Sequence, residues 1–240
     1  MKENVGKYET GLMKAFSRAA ERPELSDCDF LEAILRERPD LKGKPAYFPA
    51  QGQFGFTIFI GNEVFKGPRA NVARWFDNES DMLQLLQGRG LPVPEVTCVG
   101  KESYFYGMTR MPGVTLETEL PHMTFGQKQA LAEEVSDFMI KMARALPRHD
   151  GLYATQGDLR EGNILVDPET KKLSAVIDFG LAEFVPKEML RANHMRFATF
   201  RMLVEGLLEK KKAALRDSPP EARPTSTYDR SLLMWHDRPF

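Results

Sequence analysis

The chain is poor in cysteine, in net charge and in long apolar runs, and each shortage removes a class of protein. Only two of its 240 residues are cysteines, Cys28 and Cys98. They match no metal or redox spacing, so a disulfide scaffold and a zinc module are excluded, and reduced thiols in a cytoplasmic setting are expected. The formal net charge is -1, which leaves no basic field to draw the chain to nucleic acid or to an anionic membrane. The first residues, MKENVGKYETGLMKAF, hold no long apolar run, so neither a secretory signal nor a membrane span is expected. Delivery by a specialised secretion system would leave no such mark. There is no internal repeat. What remains is the composition of a soluble globular protein, 42% hydrophobic and 28% charged, long enough for one large domain or two small lobes.

Chemistry concentrates between Gln156 and Gly180, QGDLREGNILVDPETKKLSAVIDFG. Asp158 and Asn163 stand in a D-x-x-x-x-N run, and Asp178 follows at the end of an apolar segment. Two apolar runs, Ile164 to Val166 and Leu173 to Ile177, flank the turn-forming Asp167-Pro168-Glu169-Thr170, which predicts a β-hairpin. A hairpin brings its ends together, so the three polar side chains should meet at one edge. Phosphoryl transfer needs such a set: a carboxylate near the attacking hydroxyl and oxygen ligands for Mg²⁺.

These residues carry a resemblance. D-L-x-x-x-x-N followed by I-D-F-G is similar to the catalytic and metal loops of the protein-kinase-like superfamily. The Gly157-Asp158 pair resembles the H-G-D-x-x-x-x-N pattern of the aminoglycoside phosphotransferase branch more than the H-R-D of protein kinases. Gln156 stands where that family has a His, which serves there mainly as scaffold. The resemblance implies that Asp158 orients the acceptor hydroxyl and takes its proton, and that Asn163 and Asp178 hold Mg²⁺ against ATP. Arg160 falls where protein kinases carry a Lys. It is expected either to stabilise the transferring phosphoryl group or to pair with Glu161 or solvent.

Other stretches fit the same plan. Phe54, Phe56, Ile58 and Ile60 alternate with Gly55, Thr57 and Phe59, and Gly61-Asn62 is a hairpin signal. Gly52, Gln53 and Gly55 lie in the turn that would approach phosphate, though G-x-G-x-x-G is poorly matched. Lys66 ends the next strand, in the place of the lysine that reaches the phosphates. Glu79 would hold it from a helix spanning about Val72 to Gln87, with Asp77 and Asp81 as alternatives. Leu91-Pro92-Val93-Pro94 ends that helix and starts a strand. Another strand, Ser103 to Met111, leads to Met111-Pro112-Gly113, similar to the family's linker between lobes, so Thr109, Arg110 and Met111 are the adenine-contact candidates.

Thr124 to Leu146 predicts a core helix with Met139 and Met142 in its packed face. His122 and His149 are expected to be structural or exposed. Phe197, Phe200, Leu203 and Leu207 predict one face of a later helix, and Lys210 to Lys212 its solvated end. Residues 1–45 read as a helical N-terminal extension, with Ser26 and Asp27 as candidate caps, expected to pack on the first lobe rather than to bind a partner. No A-P-E motif is present.

The expected fold is α+β and two-lobed, protein-kinase-like. Residues 46–112 form a small antiparallel-sheet N-lobe, and residues 113–240 a reduced, mainly helical C-lobe. The expected function is ATP- and Mg²⁺-dependent transfer to a hydroxyl-bearing small molecule. The alternatives are a minimal, effector-like protein Ser/Thr kinase and an inactive nucleotide-binding pseudokinase scaffold.

Overall fold

The computed structural model describes residues 26–49, 55–68, 73–100, 105–146, 152–192 and 194–215, with the backbone alone at residues 73–77 and 214. Gly52, Gln53, His149 and the segment before Ser26 lie outside the described residues. The fold is α+β, with an antiparallel-sheet N-lobe and helical elements behind it. In chain order the helices are α1 (Asp27–Glu37), α2 (Ala73–Leu86), α3 (Leu116–Glu119), α4 (Phe125–Ala145) and α5 (Ala198–Lys212). The strands are β1 (Ala46–Tyr47), β2 (Gly55–Ile60), β3 (Glu63–Pro68), β4 (Val96–Val99), β5 (Tyr106–Thr109), β6 (Val114–Thr115), β7 (Leu152–Thr155), β8 (Ile164–Val166), β9 (Leu173–Val176) and β10 (Glu183–Pro186).

The first sheet has the order β1-β2-β3-β5-β4, and all its pairings are antiparallel. The Gly61-Asn62 turn closes β2 on β3 with Ile60 opposite Glu63. Gly61 takes φ 58° there, which glycine adopts without strain. Strand parity then sorts the side chains. Phe65 falls on one face, packed with Phe30, Ile34 and Leu41 from α1 and its following turn. Val64 falls on the other, in the larger core with Met82, Leu83 and Leu86 of α2. Lys66, two residues on from Val64, shares its face and points toward α2.

α1 begins at a capping box in which Ser26 and Asp29 satisfy each other's backbone N–H groups. It is fixed on the sheet by Arg38, which pairs bidentately with Glu63 at 3.2 and 3.0 Å and also holds Asp40.

α4 is the spine of the second lobe. Its capping box of Thr124 and Gln127 sets the start, and Leu131, Val135, Phe138, Met139 and Met142 are buried as its spacing predicts. α5 packs along it through Phe200, Val204 and Leu208. This corrects the expected face, because Phe197 is 38% exposed and precedes the helix. The lysine run is also corrected. Lys212 is buried, and Lys211 ties α5 to α4 through Glu133 at 2.8 Å and Asp137 at 2.7 Å. No helix among the described residues is long and apolar enough to cross a membrane.

Candidate active site

The site forms where β3, α2 and the β8-β9 hairpin converge. Lys66 reaches Glu79 through both carboxylate oxygens, at 3.0 and 2.9 Å, and reaches Asp178 Oδ1 at 3.4 Å. Glu79 is 2% exposed. A carboxylate that deeply buried needs every lone pair occupied. It accepts further bonds from the Tyr106 hydroxyl and from the Phe179 N–H at 3.1 Å. Tyr106 is placed for this because it lies directly opposite Lys66 in the β3-β5 ladder. Asp77 and Asp81 were alternatives to Glu79. Asp77's side chain lies outside the described residues, and burial alone pushes the Asp81 carboxyl above its ordinary range.

Burial works against the charge on Lys66, but the carboxylates of Glu79 and Asp178 outweigh it and raise the ammonium above its ordinary value of 10.5. Burial, followed by the charge of Glu79, raises the Tyr106 phenol well above 10.0. Both groups hold their proton more tightly folded than unfolded. Their contribution to stability is therefore complete below the unfolded values, and is lost as pH rises through the higher folded ones. Urea midpoints should hold level from these groups through neutral pH and fall above about pH 10, the ordinary titration range of both side chains. Tyr106→Phe should flatten part of that fall.

The β8-β9 hairpin forms as predicted, with Ile164 opposite Val176. Its tip is set by Asp167, whose Oδ1 accepts from the N–H groups of Glu169 and Thr170 at 2.9 and 2.7 Å. At the other end Asn163 donates to the Asp158 carbonyl at 2.9 Å and to Asp158 Oδ2 at 3.3 Å. Asn163 is nearly fully buried. Its amide nitrogen is directed at Asp158. Asp178 takes φ 63°, in the left-handed region that Asp tolerates better than most residues.

Gln156, which stands before the Gly157-Asp158 pair, is buried and fully engaged. Its Nε2 donates to the carbonyls of Ile177 at 3.1 Å and Asp178 at 2.5 Å, while its Oε1 accepts from Asp158 N–H at 2.8 Å. One buried amide thus ties the Asp158 loop to the Asp178 segment, since it carries both donors and an acceptor. Gly157 is required beside it. At φ 82°, an added Cβ would sit 1.8 Å from the Leu181 carbonyl oxygen.

Arg160 Nε lies 3.2 Å from Asp158 Oδ2. The expected alternative, a pair with Glu161, is not formed. Glu161 is buried and instead accepts from the N–H groups of Arg196 at 3.0 Å and Phe197 at 2.9 Å. That clamp fixes the segment entering α5, which brings His194 Nδ1 to 3.5 Å from Asp158 Oδ1. Tyr106 and His194 were not singled out from the sequence, and Glu161 only as a possible pair for Arg160.

The remaining candidates spread out. Gly55 starts β2 opposite Pro68. Thr109 N–H bonds Glu95 O at 2.9 Å, and Arg110 N–H bonds Asn62 O at 2.9 Å. The Arg110 guanidinium lies 5.1 Å over the Phe59 ring. Of the three linker residues, only Met111 keeps a backbone N–H without a partner among the described residues.

No protein-family model matches the chain, and no curated protein matches it. Solved structures do. The GDP complex of aminoglycoside 2'-phosphotransferase-IIIa is 17% identical with a TM-score of 0.66, covering 77% of this chain and 83% of that one. The ADP-bound aminoglycoside phosphotransferase APH(2'')-Ib is 14% identical with a TM-score of 0.60, covering 76% and 83%. An aminoglycoside phosphotransferase APH(3'')-Id from Streptomyces rimosus is 14% identical with a TM-score of 0.52, covering 81% and 93%. At these identities the likeness is one of fold: the chain has the kinase-like fold that the aminoglycoside phosphotransferases share.

Proposed function

We propose that this chain, with the fold of the aminoglycoside phosphotransferases, transfers the γ-phosphoryl group of ATP to a hydroxyl of a small molecule. Fold alone does not carry that reading. The observation that carries it is the Lys66-Glu79-Asp178 cluster, with Asp158 and Asn163 joined in the loop beside it. Lys66, held extended by Glu79, meets the α- and β-phosphates. Met111 N–H receives the adenine, and Gly52, Gln53 and Gly55 are the phosphate-contact candidates on sequence grounds. Asp158 takes the acceptor proton as the new O–P bond forms and the bond from the γ-phosphorus to the β–γ bridging oxygen breaks, releasing ADP. Arg160, beside it, offsets charge on the moving phosphoryl oxygens.

The donor set fits magnesium. It comprises one carboxylate, Asp178, and one amide oxygen, Asn163, both hard ligands, in a number that leaves positions for phosphate and water. When bound, the ion would neutralise the negative charge that develops on the phosphates.

The small-molecule acceptor is supported by neighbours whose names include complexes with streptomycin and ATP, and with gentamicin. A protein acceptor is the second reading. Arg160 favours it, standing 3.2 Å from Asp158 where protein kinases carry a lysine. The inactive-scaffold reading loses its main support, because Gln156 does the bonding work of a scaffold residue.

Calorimetry of ATP binding with and without Mg²⁺ tests the metal assignment. Asp178→Asn keeps a residue that tolerates the left-handed backbone, and it should lose most of the magnesium-dependent gain in ATP affinity. A gain equal to that of the unmodified protein removes Asp178 from the metal site.

A further inference from the structure

We propose that Asn78 is a positioning residue that latches helix α2 to the loop bearing Asp178 and so sets the affinity for metal-bound ATP. The inference rests on the assignment of Asp178 to the metal. The Lys66-Glu79 pair touches that loop's backbone through one bond, to Phe179 N–H. Asn78 precedes Glu79 on the same helix and adds two more. Its Nδ2 donates to the carbonyls of Gly180 at 2.9 Å and Ala182 at 3.0 Å, so both amide hydrogens are engaged on one short turn.

That turn has reason to need a latch. Asp178 sits at φ 63°, a backbone state that persists only where the surroundings fix it. Gln156 holds the carbonyls of Ile177 and Asp178 from below. The Phe179 carbonyl accepts from Ala182 N–H at 2.9 Å, and the Phe179 ring is fully buried. Leu181 O lies against the bare Cα of Gly157. The carbonyls of Gly180 and Ala182 complete the turn, and both are held by Asn78. With Glu79, which holds Phe179 N–H, it is therefore a side-chain grip of the N-lobe on the segment just past Asp178. With the latch removed, the loop reaches other arrangements in which the Asp178 carboxylate no longer faces Lys66. The metal-binding fraction then falls in proportion.

The chemistry predicts which substitutions break it. Asn78→Ala removes the donors. Asn78→Asp keeps the size and sets a carboxylate oxygen against two carbonyl oxygens, which repel it. Magnesium-dependent and magnesium-free ATP affinities would be measured by calorimetry for the unmodified protein and both variants. Hydrogen exchange would be followed over residues 177–183 in protein free of nucleotide and metal. Each variant should lose about tenfold of the magnesium-dependent gain, the scale of a lost hydrogen bond or two, with ATP affinity in the absence of metal unchanged. Exchange over 177–183 should quicken while the core of α4 keeps its protection.

Equal weakening with and without metal would overturn the proposal, as would an unchanged gain or a general loss of protection reaching α4. A merely structural side chain would act in one of those ways. If the unmodified protein shows no magnesium-dependent gain, the parent assignment of Asp178 fails in that measurement alone, and the latch falls with it.

Discussion

Asp158→Asn should lower phosphoryl transfer by about 10²–10⁴, the usual worth of a positioned general base, and leave the affinity for Mg·ATP nearly unchanged. Asparagine retains the shape of the side chain and an oxygen that can accept from Asn163, now 3.3 Å from Asp158 Oδ2. The bond from the Asn163 side-chain amide to the residue-158 carbonyl is untouched. Gln156 still holds the residue-158 N–H. What disappears is the capacity to take a proton and the charge that faces Arg160. Initial rates and calorimetry on the same preparation separate the two effects. If transfer persists, the base lies elsewhere, and His194, at 3.5 Å from Asp158, becomes the group to replace next.

Glu79→Ala should have the largest effect on stability. The carboxylate accepts two bonds from Lys66, one from Tyr106 and one from Phe179 N–H, and it is almost wholly buried. Removing it strands an ammonium, a hydroxyl and a backbone donor together. Breaking a buried pair from one side costs about 3–5 kcal/mol, which for a chain of this size lowers the melting temperature by roughly 10 °C. Among the described residues Lys66 would then have only Asp178 as a partner, and that pairing competes with the proposed metal, so transfer should fall as well.

The double variant Lys66→Met with Glu79→Ala discriminates between these causes. It removes both charges, so it should be more stable than Glu79→Ala alone while remaining inactive. A double variant no more stable than the single one would show that the loss comes from Tyr106 and Phe179 rather than from the stranded charge.

Much of this site was legible in the sequence, for a physical reason. Asp158, Asn163 and Asp178 are tied to a hairpin whose turn chemistry is local, and Lys66 to a strand whose face follows from parity with Val64. Such relations span few residues and show as spacing. The contacts that position the set are not local. Asn78 and Gly180 stand 102 residues apart, and Phe179 and Glu79 stand 100 apart. Nothing in the phrase D-N-E-S marks which polar residue faces the Asp178 loop.

The Lys211 bonds to Ser136 and Asp137 run 75 and 74 residues back along the chain, so a run of lysines at a helix end reads as solvated when it is an interhelical tie. Gln156 showed in the sequence only as a departure from histidine. Its role became visible once its amide was seen to serve as donor and acceptor at once. The adenine candidates were narrowed by the same kind of information, because the bonds of Thr109 and Arg110 close within the N-lobe.

The most direct test of the central claim uses γ-labelled ATP, Mg²⁺ and a whole-cell extract, with unmodified protein and Asp158→Asn in parallel and the products separated by mass. The account predicts label in a low-mass compound, present with the unmodified protein and absent with the variant. Label in a protein band that depends on Asp158 would keep phosphoryl transfer and contradict the small-molecule acceptor. No Asp158-dependent label in either fraction, from protein that binds Mg·ATP, would contradict phosphoryl transfer itself.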